Sequence, residues 1–218
     1  MIARQASSVV VIGGGPGGYE AALVARRLGA QVTVVDSDGL GGSCVLTDCV
    51  PSKSLISTAH VVRRMSAATE HGVDISSLSA GTDLRAVNER ILALAAAQSA
   101  DITQRVTSDG IRVCRGTGRL LSPSRVQVDF SDGGSEDLEA DVILVATGAT
   151  PRVMATARPD GERILTWTQI YALDRVPEKL VVVGSGVTGA ELAQAYLGLG
   201  SQVTLVSSRD QVLPGEDS

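Results

Sequence analysis

A chain of 218 residues, 44% of them hydrophobic and 20% charged, has room for one large domain or one and a half small ones and is ordinary in composition for a globular α/β protein. A net charge of −5 argues against nucleic acid or an anionic membrane surface as partner, and 2% aromatic residues leave no ring-lined groove for bases. No stretch approaches the ~20 apolar residues of a spanning helix, and the opening MIARQASSVVVIGGG lacks an apolar core of secretory-signal length, so a cytoplasmic location is expected.

In chain order, residues 8–12 are continuously apolar and β-branched, as in a strand covered on both faces. Gly13-Gly14-Gly15-Pro16-Gly17-Gly18 follows and contains GxGxxG at Gly13, Gly15 and Gly18. Residues 19–28 read as a helix ended by Gly29, and 31–35 as a second strand closed by Asp36. This is a β–turn–α–β unit in which the glycines serve a tight turn, close approach to a pyrophosphate, and helix–strand packing. The helix N-terminus offers free N–H groups and a positive dipole end to phosphates, and Asp36 stands where an acid accepts hydrogen bonds from a ribose.

Pro51 suits the first turn of a helix over 52–66, and a second, Ala- and Leu-rich helix is expected over 83–107. Residues 111–128 read as short strands with turns at Gly116-Thr117-Gly118 and Ser122-Pro123, and 131–139 as a polar hairpin tip. A third buried-type strand over 141–146 runs into Thr147-Gly148-Ala149-Thr150-Pro151, and 152–177 looks like a connector with a turn at Pro159-Asp160-Gly161.

The opening pattern then recurs. A strand at 180–183 leads into Gly184-Ser185-Gly186-Val187-Thr188-Gly189, a helix over 190–199 ended by Gly200, and a strand over 202–206. Gly13, Gly15, Gly18, Glu20, Leu28, Gly29, Gln31, Val32 and Thr33 align without a gap on Gly184, Gly186, Gly189, Glu191, Leu199, Gly200, Gln202, Val203 and Thr204. The expected architecture is therefore α/β with two Rossmann-like dinucleotide-binding units, the second incomplete, holding two nucleotide cofactors. At the position of Asp36 the second copy has Ser207, followed by Ser208 and Arg209. Two hydroxyls and an arginine suit a 2′-phosphate better than an acid does, which favours NADP(H) over NAD(H) there.

Between the copies, GGSCVLTDCVPSK over 41–53 places Cys44 and Cys49 five positions apart at the entry to a helix. That spacing permits a small disulfide loop, and a helix N-terminus with Lys53 nearby favours a thiolate. Zinc would need four ligands, and the scattered His60 and His71 provide no second cluster. Two inert buried thiols remain the competing reading for the pair. Cys114, in an expected strand, reads as a small core residue, and His60 as a helix-surface residue.

Taken together, the two glycine motifs, Asp36, the cysteine box, Gly116/Gly118 and ATGATP resemble the pyridine nucleotide–disulfide oxidoreductases over nearly the whole chain. Within that family the cysteine box is most similar to the dihydrolipoamide-dehydrogenase-like and NAD(P)H quinone reductase branch. The resemblance implies an FAD-binding domain over 1–150, a connector and the start of an NAD(P)-binding domain over 151–218, and, in a longer enzyme, a C-terminal interface domain supporting a homodimer. It also implies cofactor contacts at Gly42, Ser43, Lys53, Gly116, Gly118, Ala146, Thr147 and Gly148, besides the two glycine motifs and the ribose-position residues. Electrons from NAD(P)H would reach a Cys44–Cys49 disulfide by way of the flavin, Cys49 lying next to the flavin and Cys44 attacking the substrate. Lys53 would pair with Glu191 and so join the two nucleotide domains.

Two features depart from the family pattern. Val45-Leu46-Thr47-Asp48 replaces the usual Asn- and Gly-containing spacer, and an acid beside Cys49 opposes a thiolate unless the helix dipole and Lys53 prevail. The family's C-terminal His-Glu base falls beyond residue 218. The acceptor is thus expected to be a dihydrolipoamide-type disulfide or a quinone. The alternative expectation is a truncated, catalytically inactive FAD-binding fragment.

Overall fold

The computed structural model describes residues 7–74 and 81–214. Residues 1–6 and 215–218, which carried part of the expectations about the two ends of the chain, lie outside the described residues. By internal contacts the chain divides into two units, 1–46 with 95–150, and 47–94 with 151–218. The chain crosses between the two units near 46, 94 and 150.

The first unit is built on β1 (Ser8–Ile12), α1 (Pro16–Arg27) and β2 (Gln31–Asp36), with β1 and β2 parallel from Ser8↔Gln31 to Ile12↔Val35. Gly42–Leu46 forms a short helix, α2, and α3 (Cys49–Ser66) begins two residues later, already in the second unit. The helix α4 (Leu84–Ser108) returns the chain to the first unit, where β3 (Arg112–Ser122), β4 (Arg125–Phe130), β5 (Ser135–Glu139) and β6 (Val142–Val145) complete one six-stranded sheet. Its order is β5-β4-β3-β2-β1-β6, parallel from β3 through β6 and antiparallel across β3, β4 and β5.

The valine-rich runs of β1 and β2 follow from burial on both faces. Val11 and Val34 pack with Ala22 and Leu23 of α1 and with Val106 of α4. Their neighbours Val10, Ile12 and Val35 point the other way and meet Cys114, Val126, Val128 and Leu138. Cys114 is indeed a core residue, and burial pushes its thiol pKa up.

In the second unit β7 (Lys179–Val183), α5 (Val187–Gly198) and β8 (Gln202–Val206) repeat the opening βαβ pattern, with β7 and β8 parallel from Lys179↔Gln202 to Val183↔Val206. Leu192, Ala195, Tyr196 and Leu199 pack with Leu55 and Ala59 of α3 and with Leu84 and Ile91 of α4. A Cβ at Gly198 would stand 2.9 Å from that of Ala59, so α3 and α5 cross at two small residues.

Several expectations change. Three of the four expected helices begin about one turn earlier than expected, at Pro16, Cys49 and Val187, because Gly15, Asp48 and Gly186 act as extended or irregular caps and the motif residues themselves are helical. Gly116-Thr117-Gly118 is no turn but the middle of β3, and the hairpin turn comes at Pro123-Ser124. Glycine is needed at 116 because a Cβ there would run into the Asp129 carbonyl of β4. The expected tip over 131–139 contains a paired strand, β5, with only 131–134 left as the turn. The strand expected to be buried over 141–146 is an edge strand, with Val142 53% and Val145 59% exposed, because it pairs on one side only. The connector over 152–177 is not merely a link, since a 3-10 turn at Ile170–Ala172 buries Ile170 and Tyr171 in the second core. Asp160 does form a turn, its carboxylate accepting from the N–H groups of Glu162, Arg163 and Ile164.

The close β3–β4 approach makes Gly116→Ala costly, by about 2 kcal/mol or more, whereas Gly81→Ala, which meets nothing within 4 Å, should be nearly neutral. Thermal unfolding of the two variants checks the contrast.

Candidate functional site

The first glycine motif forms a compact hydrogen-bonded loop. Gly13, at φ +103°, donates its N–H to the Val35 carbonyl at 2.8 Å, and a Cβ there would strike the Ala146 carbonyl. Gly15 is the extended cap of α1, its carbonyl accepting from Gly18 and Tyr19 at 2.9 Å. Gly18 packs so closely on the Gly13 carbonyl oxygen that no larger residue fits. No side chain caps α1 and no acid lies in its first turn, so its positive dipole end is available to an anion. The backbone of Gly42, at the start of α2, comes close to Gly15, and a Cβ at 42 would lie 2.8 Å from the Gly15 Cα. Ser43 and Cys44 follow on α2, Ser43 exposed and Cys44 half-buried. Thr147 and Gly148 continue from β6 in the same unit, and both are exposed.

Asp36 has a larger structural part than expected. Its Oδ2 accepts the Gly14 N–H at 2.6 Å, while Oδ1 accepts from Asp38 at 2.9 Å and Gly39 at 2.7 Å. The carboxylate thus ties the glycine loop to the turn after β2. Three of its roughly four acceptor positions are used, leaving about one for a ribose hydroxyl. This donor set and the uncapped helix end fit a dinucleotide.

The second copy reproduces the main features of the loop. Gly184 has φ +117° and donates to the Val206 carbonyl at 2.9 Å; Ala190 N–H reaches the Gly186 carbonyl at 2.9 Å; Gly189 packs on the Gly184 carbonyl oxygen. Past β8 the Leu213 N–H reaches the Ser185 carbonyl at 2.7 Å, as the Gly41 N–H reaches that of Gly14 at 2.8 Å. The copies differ at the ribose position. Ser207 replaces Asp36, and its hydroxyl pairs with that of Ser185 at 2.7 Å while accepting the Arg209 N–H at 2.9 Å. Ser208 and Arg209 are exposed.

Around the cysteine box, Cys49 is the first residue of α3 and half-buried, and Lys53 lies one turn further along the same face. Lys53 Nζ pairs with Glu191 Oε1 at 2.7 Å. The resemblance implies that this pair joins two nucleotide domains; by internal contacts α3 and α5 both belong to the second unit. Sequence reasoning missed Ser52, which is 1% exposed and donates to Glu191 Oε2 at 2.7 Å, with a longer 3.4 Å approach to the Cys49 carbonyl. Nothing in PSK announces that partner, because Glu191 is remote in sequence. Burial pushes the Glu191 carboxyl pKa up, but hydrogen bonds from Lys53 and Ser52 and the lysine charge outweigh it and hold it below the ordinary value. The Glu191 hydrogen bond raises Lys53 against a smaller opposing burial effect. Cys44 and Cys49 fall in different units, and His60 lies on the exposed side of α3.

A family model described as pyridine nucleotide-disulphide oxidoreductase matches residues 7–218. The chain belongs to that family. It is 49% identical, over 96% of its length, to an NAD(P)H dehydrogenase (quinone) of Mycobacterium tuberculosis, covering 44% of that protein. It is 40% identical, over 96% of its length, to a dihydrolipoyl dehydrogenase of Chlorobaculum parvum, again covering 44% of the relative. The crystal structure of LpdA from Mycobacterium tuberculosis superposes with a TM-score of 0.88 at 48% identity, over 97% of this chain and 47% of that one. The chain therefore spans less than half the length of the curated relatives it matches. The α/β fold with a parallel core is thus shared with a solved relative. No described helix is long and apolar enough to cross a membrane.

Glu191→Gln should remove the ion pair and lower stability by no more than about 1 kcal/mol, because Lys53 is half-exposed and solvent screens it. The Glu191 contribution, from a depressed carboxyl, is present above the unfolded-state value and is lost as pH falls through the lower folded value. The Lys53 contribution, from a raised amine, is lost only in alkali above the ordinary lysine value. Denaturant titrations should show the difference between wild type and variant greatest near neutrality and vanishing toward strongly acidic pH.

Proposed function

We propose that this chain is the FAD-binding and nicotinamide-binding part of an NAD(P)H-oxidising flavoprotein with a Cys44–Cys49 redox pair. The observation that carries the reading is the duplicated glycine loop, whose turn bonds, cap geometry and helix packing recur from Gly13–Gly18 to Gly184–Gly189. Two such loops on one chain provide two dinucleotide cradles. On this reading the FAD domain covers 1–150 and the nicotinamide domain starts at 151, with α3 packing as part of the second unit.

When bound, the flavin supplies the two-electron chemistry that links the nicotinamide to the sulfur pair. The chain's own residues position and charge the site. Gly13, Gly15, Gly18, Gly42 and Ser43 hold the FAD pyrophosphate at the α1 N-terminus, Asp36 keeps one acceptor for the ribose, and Ala146, Thr147 and Gly148 border the cradle from β6. Gly116 and Gly118 act through the backbone of β3, their side-chain space being filled by protein. Cys49 sits in the first turn of α3, directly after Asp48 and one turn before Lys53. Glu191, held from two sides by Ser52 and Lys53, fixes the lysine over that turn. Cys44 follows as the sulfur open to the acceptor, a role that rests on its spacing from Cys49. At the second cradle Ser207, Ser208 and Arg209 favour NADP(H), since a serine stands where the first copy has the Asp36 carboxylate.

Higher identity to the quinone-named relative supports a quinone acceptor over a disulfide of the dihydrolipoamide type. A cytoplasmic homodimer is the assembly proposed for the full-length protein. Anaerobic reduction of that protein by NADPH should produce long-wavelength charge-transfer absorbance that disappears in Cys49→Ser; absence of the band in wild type would exclude the thiol mechanism. Quinone turnover should survive Cys44→Ser, whereas disulfide reduction should be lost. Expression of residues 1–218 alone distinguishes a yellow, cofactor-binding product from a colourless one, and a colourless product would count against the FAD cradle.

A further inference from the structure

The two copies of the nucleotide loop differ at a pair of positions, not at one. In the first, Gly14 donates its backbone N–H to Asp36 at 2.6 Å. A Cβ at Gly14 would stand 3.1 Å from both the Cβ and Oδ2 of Asp36 and would run into the Leu40 side chain. The Leu40 side chain is thus the main obstacle to a Cβ at 14, and the Asp36 carboxylate is a second, tight neighbour. In the second copy the equivalent residue is Ser185, 5% exposed, and its hydroxyl meets Ser207 at 2.7 Å. The shorter Ser207 side chain makes room for the Ser185 Cβ, and the hydroxyl pair replaces the N–H···carboxylate bond. The turn bond after the strand survives the exchange, as Asp38 N–H to Asp36 at 2.9 Å becomes Arg209 N–H to Ser207 at 2.9 Å.

We propose that Ser185 is a specificity-determining residue of the second site, acting jointly with Ser207. The pair Gly/Asp admits only an unphosphorylated ribose, and the pair Ser/Ser removes the negative charge while keeping the loop closed. This deepens the nicotinamide-site reading above and rests on it for the identity of the ligand. An acid placed at 207 alone, in the pose of Asp36, comes as tight against the Ser185 Cβ as Asp36 would against a Cβ at 14, at 3.1 Å, so that one of the two must shift.

The test is calorimetric titration of the full-length protein and its variants with two adenosine-side probes, 2′-phospho-ADP-ribose and ADP-ribose, which read ribose recognition without hydride chemistry. Ser207→Asp should lose affinity for the phosphorylated probe and gain less than about threefold for ADP-ribose. The double variant Ser185→Gly with Ser207→Asp should bind ADP-ribose about tenfold more tightly than Ser207→Asp alone. Thermal unfolding should show the same coupling, the double variant being more stable than Ser207→Asp. If Ser207→Asp alone reaches the affinity and stability of the double variant, the joint role of Ser185 is overturned. A wild type that prefers ADP-ribose would instead refute the NADP(H) reading and leave the coupling between 185 and 207 to be judged by the same cycle.

Discussion

Everything in the described chain depends on how closely a helix can approach the turn that feeds it. Gly18 rests on the carbonyl oxygen of Gly13, and Gly189 on that of Gly184, at separations no Cβ would allow. That approach brings α1 and α5 down onto their strands and leaves their first turns uncapped at the C-terminal ends of β1 and β7. Core packing follows from it. Ala22 and Leu23 of α1 reach Val11 and Val34 only because the helix sits this low, and the same holds for Leu192 of α5 against its own unit. Binding capacity follows from it as well, since the same N-termini present dipole and backbone donors to phosphate.

Given that shared loop, chemical difference is confined to what stands at its edge. Asp36 is an acid with most of its acceptor capacity spent on the protein, which makes it a brace as much as a ligand group. Its counterpart Ser207 braces the second loop through a hydroxyl and carries no charge. Glu191 is a second carboxylate whose first partners are internal, with Ser52 on one oxygen and Lys53 on the other. In each case function is proposed to use what the structural bonds leave over: one acceptor on Asp36, an uncharged edge at Ser207, and a lysine held in place by Glu191.

Much of this was legible from residue order. The strands β1, β2 and β8 began where runs of apolar, β-branched residues put them, Cys114 lay in the core, and the repeat was visible as an ungapped alignment. Helix starts were misread because Pro16-Gly17-Gly18 and Val187-Thr188-Gly189 look like loop residues, whereas the dihedral freedom of the first turn costs little when a tertiary contact anchors it. Gly116 and Gly118 were taken for turn residues for the same reason: glycine marks a close approach as often as a change of direction. The Lys53–Glu191 pairing was reached through family resemblance, and the Ser52 bond to Glu191 by neither route.

The sequence by itself determined the two βαβ units, their glycine loops and the setting of the cysteine box. Those features are local: spacing of two, three or four residues decides which side chains share a face and where a backbone can turn. Tertiary structure alone decided that α3 packs with α5, that Ser52 meets Glu191 across 139 positions of chain, and that Ser185 and Ser207 replace Gly14 and Asp36 as a pair. Such contacts depend on how distant segments are brought into register by burial, and no local pattern encodes the partner at the other end.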